Sequence, residues 1–295
     1  MAGDLVTAAG RPLVADRRFR FEGRSVAWGR IGSGPALVLV HGTPFSSQVW
    51  RRIAPCLAPH WTVHFYDMPG YGLSDMTPGA DVSLGIQNRV LAALFREWGL
   101  SEPDVICHDF GAATVLRAHY LDGLRYNAVL VFDAVALAPW GSPFVSHVRL
   151  HEAAFAGMPG FAHDALVRAY VQGAAHGPLL DEVMDIHVAP WLGPRGQSAF
   201  YRQIAQMDTA FTDAVAPRYG RFARTVQVMW GVEDTWIPIE TGRRFAQMVS
   251  DRGLVEVADC GHLMQEDAPE AIVAAMLSLR IGAHAGRAGS RGPER

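Results

Sequence analysis

The residues that decide the fold are Val105–Ala113, with the sequence VICHDFGAA. A short apolar run, Val105–Cys107, is followed by two polar residues and then by small residues that begin a helical pattern. A sharp turn between a strand and a helix needs space, and the small side chains of Cys107 and Gly111 provide it on either side of Asp109. The segment therefore predicts a strand–turn–helix unit with an aspartate at the turn.

Similar apolar runs occur along the rest of the chain, and most of them end in a polar residue. Runs without polar alternation are typical of strands that are buried on both faces, as in a parallel sheet. Residues 18–28 alternate instead, which predicts an antiparallel hairpin that turns near Gly23. The runs are Ala36–Val40, Thr62–Tyr66, Asp104–Cys107, Ala128–Phe132, Thr225–Trp230 and Leu254–Val257, and the helical patterns between them are Leu84–Trp98, Ala112–Leu121, Thr241–Val249 and Pro269–Leu279. The sequence predicts an α/β fold with a doubly wound, mostly parallel sheet.

The strand pattern stops between residues 138 and 216. That stretch contains Pro, Gly, His and aromatic residues among short helical patterns, and a structureless loop of such length is uncommon. We therefore expect a helical cap at 138–216, inserted into a core formed by residues 1–137 and 217–281. Residues 282–295 are rich in Gly, Ala and Arg, and we expect a disordered tail there.

Composition excludes several classes of function. The chain has 295 residues, and 26 Lys and Arg against 29 Asp and Glu give a net charge of −3, which offers no basic surface to a nucleic acid. No apolar run approaches the ~20 residues of a membrane span, and the N-terminus lacks the apolar segment of a signal peptide. The three cysteines lack metal-ligand spacing. We expect a cytoplasmic protein without metal or cofactor, and the sequence leaves the oligomeric state open, a homodimer included.

Candidate catalytic residues follow several of the predicted strands. Because the carboxyl ends of parallel strands meet at one edge of a sheet, we expect Asp109, Asp234 and His262 to lie close together. Asp133 also ends a strand and is an alternative partner for His262. A simpler interpretation of Asp109 is that its side chain only caps the helix that follows.

The order nucleophile, acid, histidine resembles that of α/β-hydrolases. An aspartate in place of serine resembles the aspartate-nucleophile branch of that family, which holds epoxide hydrolases and haloalkane or fluoroacetate dehalogenases. The resemblance covers roughly residues 19–281. It implies an oxyanion hole formed by the backbone N–H groups of Thr43 and Phe110, with Asp234 as the acid that orients His262. In some members of the branch the acid resembles Asp133 instead.

The choice of aspartate as nucleophile has chemical consequences. A carboxylate with the ordinary aspartate pKa of about 3.9 is ionised at neutral pH and needs no base to attack. Attack on a saturated carbon that bears a leaving group gives a stable ester, which water activated by His262 then hydrolyses. We therefore expect a covalent alkyl-enzyme intermediate on Asp109.

The leaving group depends on donors in the cap. The resemblance to epoxide hydrolases implies that cap tyrosines, Tyr201 and Tyr170, protonate the departing oxygen. Haloalkane dehalogenases usually carry a Trp after the nucleophile, but Phe110 has no N–H group to donate, and Trp140 or Trp191 would have to replace it.

No arginine stands beside Asp109 to bind the carboxylate of a haloacid. We therefore expect an epoxide hydrolase that acts on a small apolar organic substrate with water as co-substrate. The alternatives are a haloalkane dehalogenase, an esterase or lactonase, and a ligand-binding protein of the same fold without catalysis.

Overall fold

The computed structural model describes residues 9–288, and the side chains of residues 9–280. Within this part of the chain, eight strands form one sheet in the order β1-β2-β4-β3-β5-β6-β7-β8. The strands are β1 (Arg17–Phe21), β2 (Arg24–Ile31), β3 (Ala36–Val40), β4 (Thr62–Tyr66), β5 (Asp104–His108), β6 (Ala128–Phe132), β7 (Thr225–Gly231) and β8 (Leu254–Val257). The first two strands are antiparallel to their neighbours, and all the others run parallel. The prediction of a mostly parallel sheet is confirmed.

Helices flank the sheet and fill the stretch between β6 and β7. They are α1 (Ala54–Leu57), α2 (Leu84–Glu97), α3 (Phe110–Asp122), α4 (Pro143–Ala156), α5 (Gly160–Gln172), α6 (Asp181–Val188), α7 (Gly193–Ala205), α8 (Ala210–Asp213), α9 (Ile239–Val249), α10 (Met264–Asp267) and α11 (Pro269–Ala288). None of these helices, within the residues described, has the length and apolar character needed to cross a membrane.

The stretch between β6 and β7, where the sequence predicts an inserted cap, is helical. Helices α4 to α8 lie within residues 143–213, and the described chain has no strand there. The sequence did not predict α4, because only Val145 and Val148 of its 14 residues are buried and a half-exposed helix shows little periodicity. Indole and amide groups of the insertion reach the loop after β3, so the helices cover the carboxyl ends of the strands.

A buried ionic cluster joins the insertion to the core. The carboxylate of Glu266 binds the guanidinium of Arg51 through two hydrogen bonds of 2.5 and 2.9 Å and accepts a third, of 2.8 Å, from His187 of α6. Burial alone would raise the pKa of Glu266, but His187 and Arg51 outweigh it and lower the pKa below its ordinary value. The cluster therefore connects α6 to the core through the Glu266 carboxylate, whose charge the guanidinium of Arg51 balances.

The C-terminal helix is longer than expected. Helix α11 continues to Ala288, so residues 282–288 have helical backbone where we expected a disordered tail to begin. The helical pattern weakens after Leu279 because Gly and Ala replace the large apolar residues there. The rest of the expected tail, residues 289–295, lies outside the described residues.

The turn between β5 and α3 passes directly against the end of β3. Asp109 has φ = 50° and ψ = −120°, a conformation that L-residues rarely adopt. A Cβ atom on Gly111 would lie 2.2 Å from the carbonyl oxygen of Val40 and 2.6 Å from that of His41. Glycine is therefore required at position 111 because backbone atoms, which cannot move aside, occupy the space.

We predict that Gly111→Ala lowers the free energy of unfolding by about 1–3 kcal/mol, because the added methyl group forces β3 and α3 apart. Gly160→Ala is the matched control. Its Cβ would meet nothing within 4 Å, and we expect a change within about 0.5 kcal/mol. Urea unfolding of both variants measures the difference. Equal free energies of unfolding would contradict the conclusion that glycine is required at position 111.

Candidate active site

The carboxylate of Asp109 lies at the bottom of a closed site and is 3% exposed. One oxygen, Oδ1, accepts a hydrogen bond of 2.7 Å from the backbone N–H of Thr43. The side chain makes no capping hydrogen bond to α3, so the simpler interpretation of Asp109 as a helix cap does not describe its contacts. Phe110 is the first residue of α3, where a backbone N–H has no partner within the helix.

The imidazole of His262 lies between two carboxylates. Its Nε2 is 3.4 Å from Oδ2 of Asp109, which is an ion-pair distance, and its Nδ1 donates to Oδ2 of Asp234 at 2.9 Å. The other oxygen of Asp234 accepts the backbone N–H groups of Trp236 and Ile237 at 2.8 and 2.9 Å. The structure thus brings together the three residues that the sequence predicted, and it fixes the Asp234 carboxylate at both oxygens.

The second candidate acid has other contacts. Asp133 is fully buried, and its Oδ1 accepts the backbone N–H of Gly231 at 2.8 Å. Its Oδ2 has no hydrogen-bond partner within the described part of the chain. Burial, followed by the nearby Asp234 carboxylate, raises the pKa of Asp133 well above its usual range. Of the two acids, Asp234 is the one hydrogen-bonded to His262.

The two carboxylates control the charge of the imidazole. Burial by itself would lower the pKa of His262, but Asp234 and Asp109 outweigh it and raise the pKa well above its ordinary value. The neighbouring His108 is the opposite case, because burial and then the charge of His262 lower its pKa. Neutral His108 donates through Nε2 to the backbone carbonyl of His262 at 2.9 Å, which holds the backbone of His262.

A small cavity of about 60 Å³ lies above Asp109. It is smaller than the ~150 Å³ cavity known to hold benzene. Its walls are mostly apolar or aromatic and come from the loops after β3, β6 and β7, from the start of α3 and from the insertion. They are formed by Thr43, Asp109, Phe110, Val135, Trp140, Gly141, Ser142, Val145, Tyr170, Met207, Trp236 and Ile237.

The two cap tyrosines have different positions. Tyr170 forms part of the cavity wall, and burial, together with the Asp109 carboxylate, raises the pKa of its hydroxyl. Tyr201 is not among the residues that line the cavity, because it lies on the face of α7 that packs against α5. Its hydroxyl is 2.9 Å from Nδ1 of His163. The expectation that both tyrosines face the substrate therefore fails for Tyr201.

The cap tryptophans already use their indole N–H groups. Trp140 lines the cavity and packs edge-on against Phe110 at 5.6 Å, but its Nε1 donates to Oγ1 of Thr212 at 2.9 Å. The Nε1 of Trp191 donates to the carbonyl of Pro44 at 2.7 Å. Neither group is aimed at a leaving group in this structure, contrary to the expectation that they could bind a halide.

Sequence reasoning missed three residues of the site. The ring of Trp236 stacks on His262 with centroids 4.9 Å apart, and the hydroxyl of Tyr71 lies 3.1 Å from Oε1 of Gln203 in α7. Trp236 follows Asp234 by two residues, so its closeness to the acid was a usable signal. Nothing in the local sequence indicates that Gln203 contacts the core.

Among the described residues, no group of three or more His, Cys, Asp or Glu side chains is placed to hold a metal ion.

Known proteins resemble this chain over different lengths. Haloalkane dehalogenase 2 from Mycobacterium bovis is 26% identical over 267 residues, which are 83% of this chain and 88% of that protein. A pimeloyl-(acyl-carrier protein) methyl ester esterase from Aeromonas salmonicida is 47% identical over 60 residues. That match spans 20% of this chain and only 24% of the esterase.

A solved structure and a family model each cover most of the chain. An alpha/beta hydrolase fold protein from Burkholderia ambifaria has a TM-score of 0.89 and 55% identity, over 91% of this chain and 99% of that one. The model of the alpha/beta hydrolase family matches residues 37–275. Because this match takes in most of the chain, and the eight-stranded sheet agrees with it, the protein belongs to the alpha/beta hydrolase family.

Proposed function

We propose that this protein is a hydrolase that attacks a saturated carbon through Asp109, and that its substrate is a small epoxide with apolar substituents. The observation that carries the proposal is the environment of the Asp109 carboxylate. The N–H of Thr43 holds Oδ1 at 2.7 Å, while Oδ2 lies 3.4 Å from Nε2 of His262. One oxygen is therefore positioned by a backbone donor, and the other is available as a nucleophile.

In the first step, Oδ2 of Asp109 attacks an epoxide carbon, and the carbon–oxygen bond of the ring breaks. The departing alkoxide takes a proton from the hydroxyl of Tyr170, which burial keeps protonated. The products of this step are an alkyl ester of Asp109 that bears a new hydroxyl group and a tyrosinate. The tyrosinate then recovers its proton, by way of water, from the imidazolium of His262, which leaves His262 neutral for the second step.

In the second step, His262 takes a proton from a water molecule, which attacks the carbonyl carbon of the ester. The N–H of Thr43 stabilises the negative charge that develops on Oδ1. Cleavage of the ester bond passes the second proton of that water to the departing oxygen, releases a diol and restores the carboxylate of Asp109. Asp234 holds the proton-bearing Nδ1 of His262 and stabilises the imidazolium.

The charge of His262 supports this order of steps. In the free enzyme two carboxylates raise the pKa of His262, which favours the imidazolium. When Asp109 becomes a neutral ester, one of these charges disappears and the pKa of His262 falls. The imidazole is then able to act as a base in the step that needs one.

An oxygen leaving group fits the donors better than a halide does. The side chain of Phe110 offers no N–H, and the indole groups of Trp140 and Trp191 are bound elsewhere. The hydroxyl of Tyr170 is the proton donor in the cavity wall that can protonate an alkoxide. The cavity volume of about 60 Å³ favours short substrates.

The second candidate is a haloalkane dehalogenase. It is favoured by the mycobacterial relative, which matches 83% of this chain. The same two steps would apply to Asp109 and His262, with a halide leaving in place of the alkoxide and without a role for Tyr170. The two candidates therefore differ only in the first step.

We predict that His262→Gln traps the ester, because the nucleophile remains while the base for hydrolysis is lost. Intact-protein mass spectrometry after exposure to short epoxides and short haloalkanes measures the adduct. An epoxide adds its whole mass, whereas a haloalkane adds its mass less the hydrogen halide. We expect a whole-mass adduct that maps to Asp109, and a halide-lost adduct would favour the second candidate.

The double variant Asp109→Asn, His262→Gln is the control, and it must form no adduct with either panel. Turnover by the wild-type enzyme without any adduct on the His262→Gln protein would contradict the covalent mechanism.

We predict that Asp109→Asn and Asp234→Asn each lower the pKa of His262, because each removes an anion that stabilises the imidazolium. NMR titration of the imidazole ring signal measures the pKa. Asp133→Asn is the matched control and should lower it less, since Asp133 makes no hydrogen bond to His262. An unchanged pKa in the Asp109→Asn protein would show that the two groups do not interact.

We predict that Tyr170→Phe slows epoxide turnover by roughly 10²–10⁴-fold, the usual contribution of a general acid. Tyr201→Phe removes the same hydroxyl from the other cap tyrosine and should leave epoxide turnover unchanged. Steady-state kinetics on one epoxide compares the two proteins. If Tyr170→Phe retains full activity, another group protonates the leaving oxygen.

A further inference from the structure

We infer that Gln203 is a positioning residue for ester hydrolysis, through which the insertion holds Thr43 and thereby the oxyanion hole. This inference rests on the proposed covalent mechanism. Gln203 lies on α7 and is 2% exposed, and its hydrogen bonds go to Thr43 and Tyr71. Its effect on the reaction passes through Thr43.

One oxygen of Gln203 accepts hydrogen bonds from two buried hydroxyl groups. Oγ1 of Thr43 donates to Oε1 of Gln203 at 2.6 Å, and the hydroxyl of Tyr71 donates to the same oxygen at 3.1 Å. Thr43 and Tyr71 are 4% and 1% exposed, so water cannot replace this acceptor without a rearrangement. The side chain of Thr43 is therefore held from the insertion by the 2.6 Å hydrogen bond to Gln203, with a longer contact of 3.3 Å to the hydroxyl of Tyr71 in the core.

The loop that Gln203 holds is in direct contact with the nucleophile. The N–H of Thr43 donates to Oδ1 of Asp109 at 2.7 Å, and a Cβ atom on the preceding Gly42 would lie 2.7 Å from that same oxygen. A second contact from the insertion, the indole of Trp191 on the carbonyl of Pro44 at 2.7 Å, supports the next residue of the loop. A small shift of this loop therefore changes the distance between the N–H of Thr43 and Oδ1.

The two chemical steps depend differently on that distance. During formation of the ester, the attacking oxygen is Oδ2, and negative charge leaves the carboxylate. During hydrolysis, negative charge returns to Oδ1, where the N–H of Thr43 must stabilise it. Loss of the positioning hydrogen bond should therefore slow hydrolysis and leave formation of the ester nearly unchanged.

Gln203 also carries a donor without a partner. Its Nε2 is buried and has no hydrogen bond to any group in the described part of the chain. A buried amide with one unsatisfied polar end lowers the stability of the fold. An apolar side chain would serve a purely structural role as well. The acceptor function of Oε1 toward Thr43 and Tyr71 explains why an amide stands at this position.

The test compares Gln203→Leu with wild type on a substrate that forms the adduct in the His262→Gln protein. Rapid-quench mass spectrometry follows the formation and decay of the ester. We expect decay to slow by roughly tenfold, which is less than the ~10²–10³-fold cost of losing an oxyanion donor itself. Once decay limits turnover, kcat and KM should fall together while kcat/KM stays nearly constant.

Gln206→Leu is the matched control. Gln206 follows α7 directly and also joins the insertion to the core, through hydrogen bonds with the backbone of Val82 at 2.7 Å and of Ala80 at 3.0 Å. It has no contact with Thr43, and we expect normal decay of the ester. Equal slowing in Gln203→Leu and Gln206→Leu would mean a general loosening of the insertion and would overturn the inference.

Thr43→Val removes the same hydrogen bond by replacing the hydroxyl donor on the core side. It provides a second test if the Gln203→Leu protein does not fold. It should slow decay as Gln203→Leu does, and Thr43→Ser should restore it. Decay at the wild-type rate in Thr43→Val overturns the role of Gln203. Absence of any adduct in the His262→Gln protein is a separate outcome, which contradicts the proposed function itself.

Discussion

The close approach of two backbone segments is the constraint on which the site depends. The end of β3 lies so near the turn after β5 that a Cβ atom on Gly111 would be 2.2 Å from the carbonyl oxygen of Val40. This contact places the N–H of Thr43 on the Asp109 carboxylate. It also requires the backbone of Asp109 to adopt φ = 50°, which directs its side chain away from the helix that it precedes.

Charge balance is the second constraint on the site. Three titratable groups, Asp109, His262 and Asp234, are almost completely buried in a row, and an imidazolium between two carboxylates leaves one net negative charge. In the proposed mechanism, esterification of Asp109 removes that charge and lowers the pKa of His262 at the moment when a base is needed. The apolar walls of the cavity strengthen these interactions because they exclude water.

Much of the fold and of the site could be predicted from the sequence. Strands such as Ala36–Val40 and Thr62–Tyr66 were found with the bounds that the structure has, because burial on both faces leaves a continuous apolar run. The grouping of Asp109, Asp234 and His262 follows from the geometry of a parallel sheet. The insertion was less predictable. Which face of α7 meets the core depends on its packing against α4 and α5, and this packing turns Gln203 toward Thr43 and Tyr201 toward His163.

The central claim is that Asp109 itself becomes bonded to the substrate carbon. A single-turnover reaction of the wild-type enzyme in water labelled with heavy oxygen tests it most directly. Because the product takes its new oxygen from the old carboxylate, the account predicts an unlabelled product and one heavy oxygen in the peptide that contains Asp109. Label in the first product together with an unlabelled Asp109 would mean that water attacks the substrate directly, and it would contradict the account.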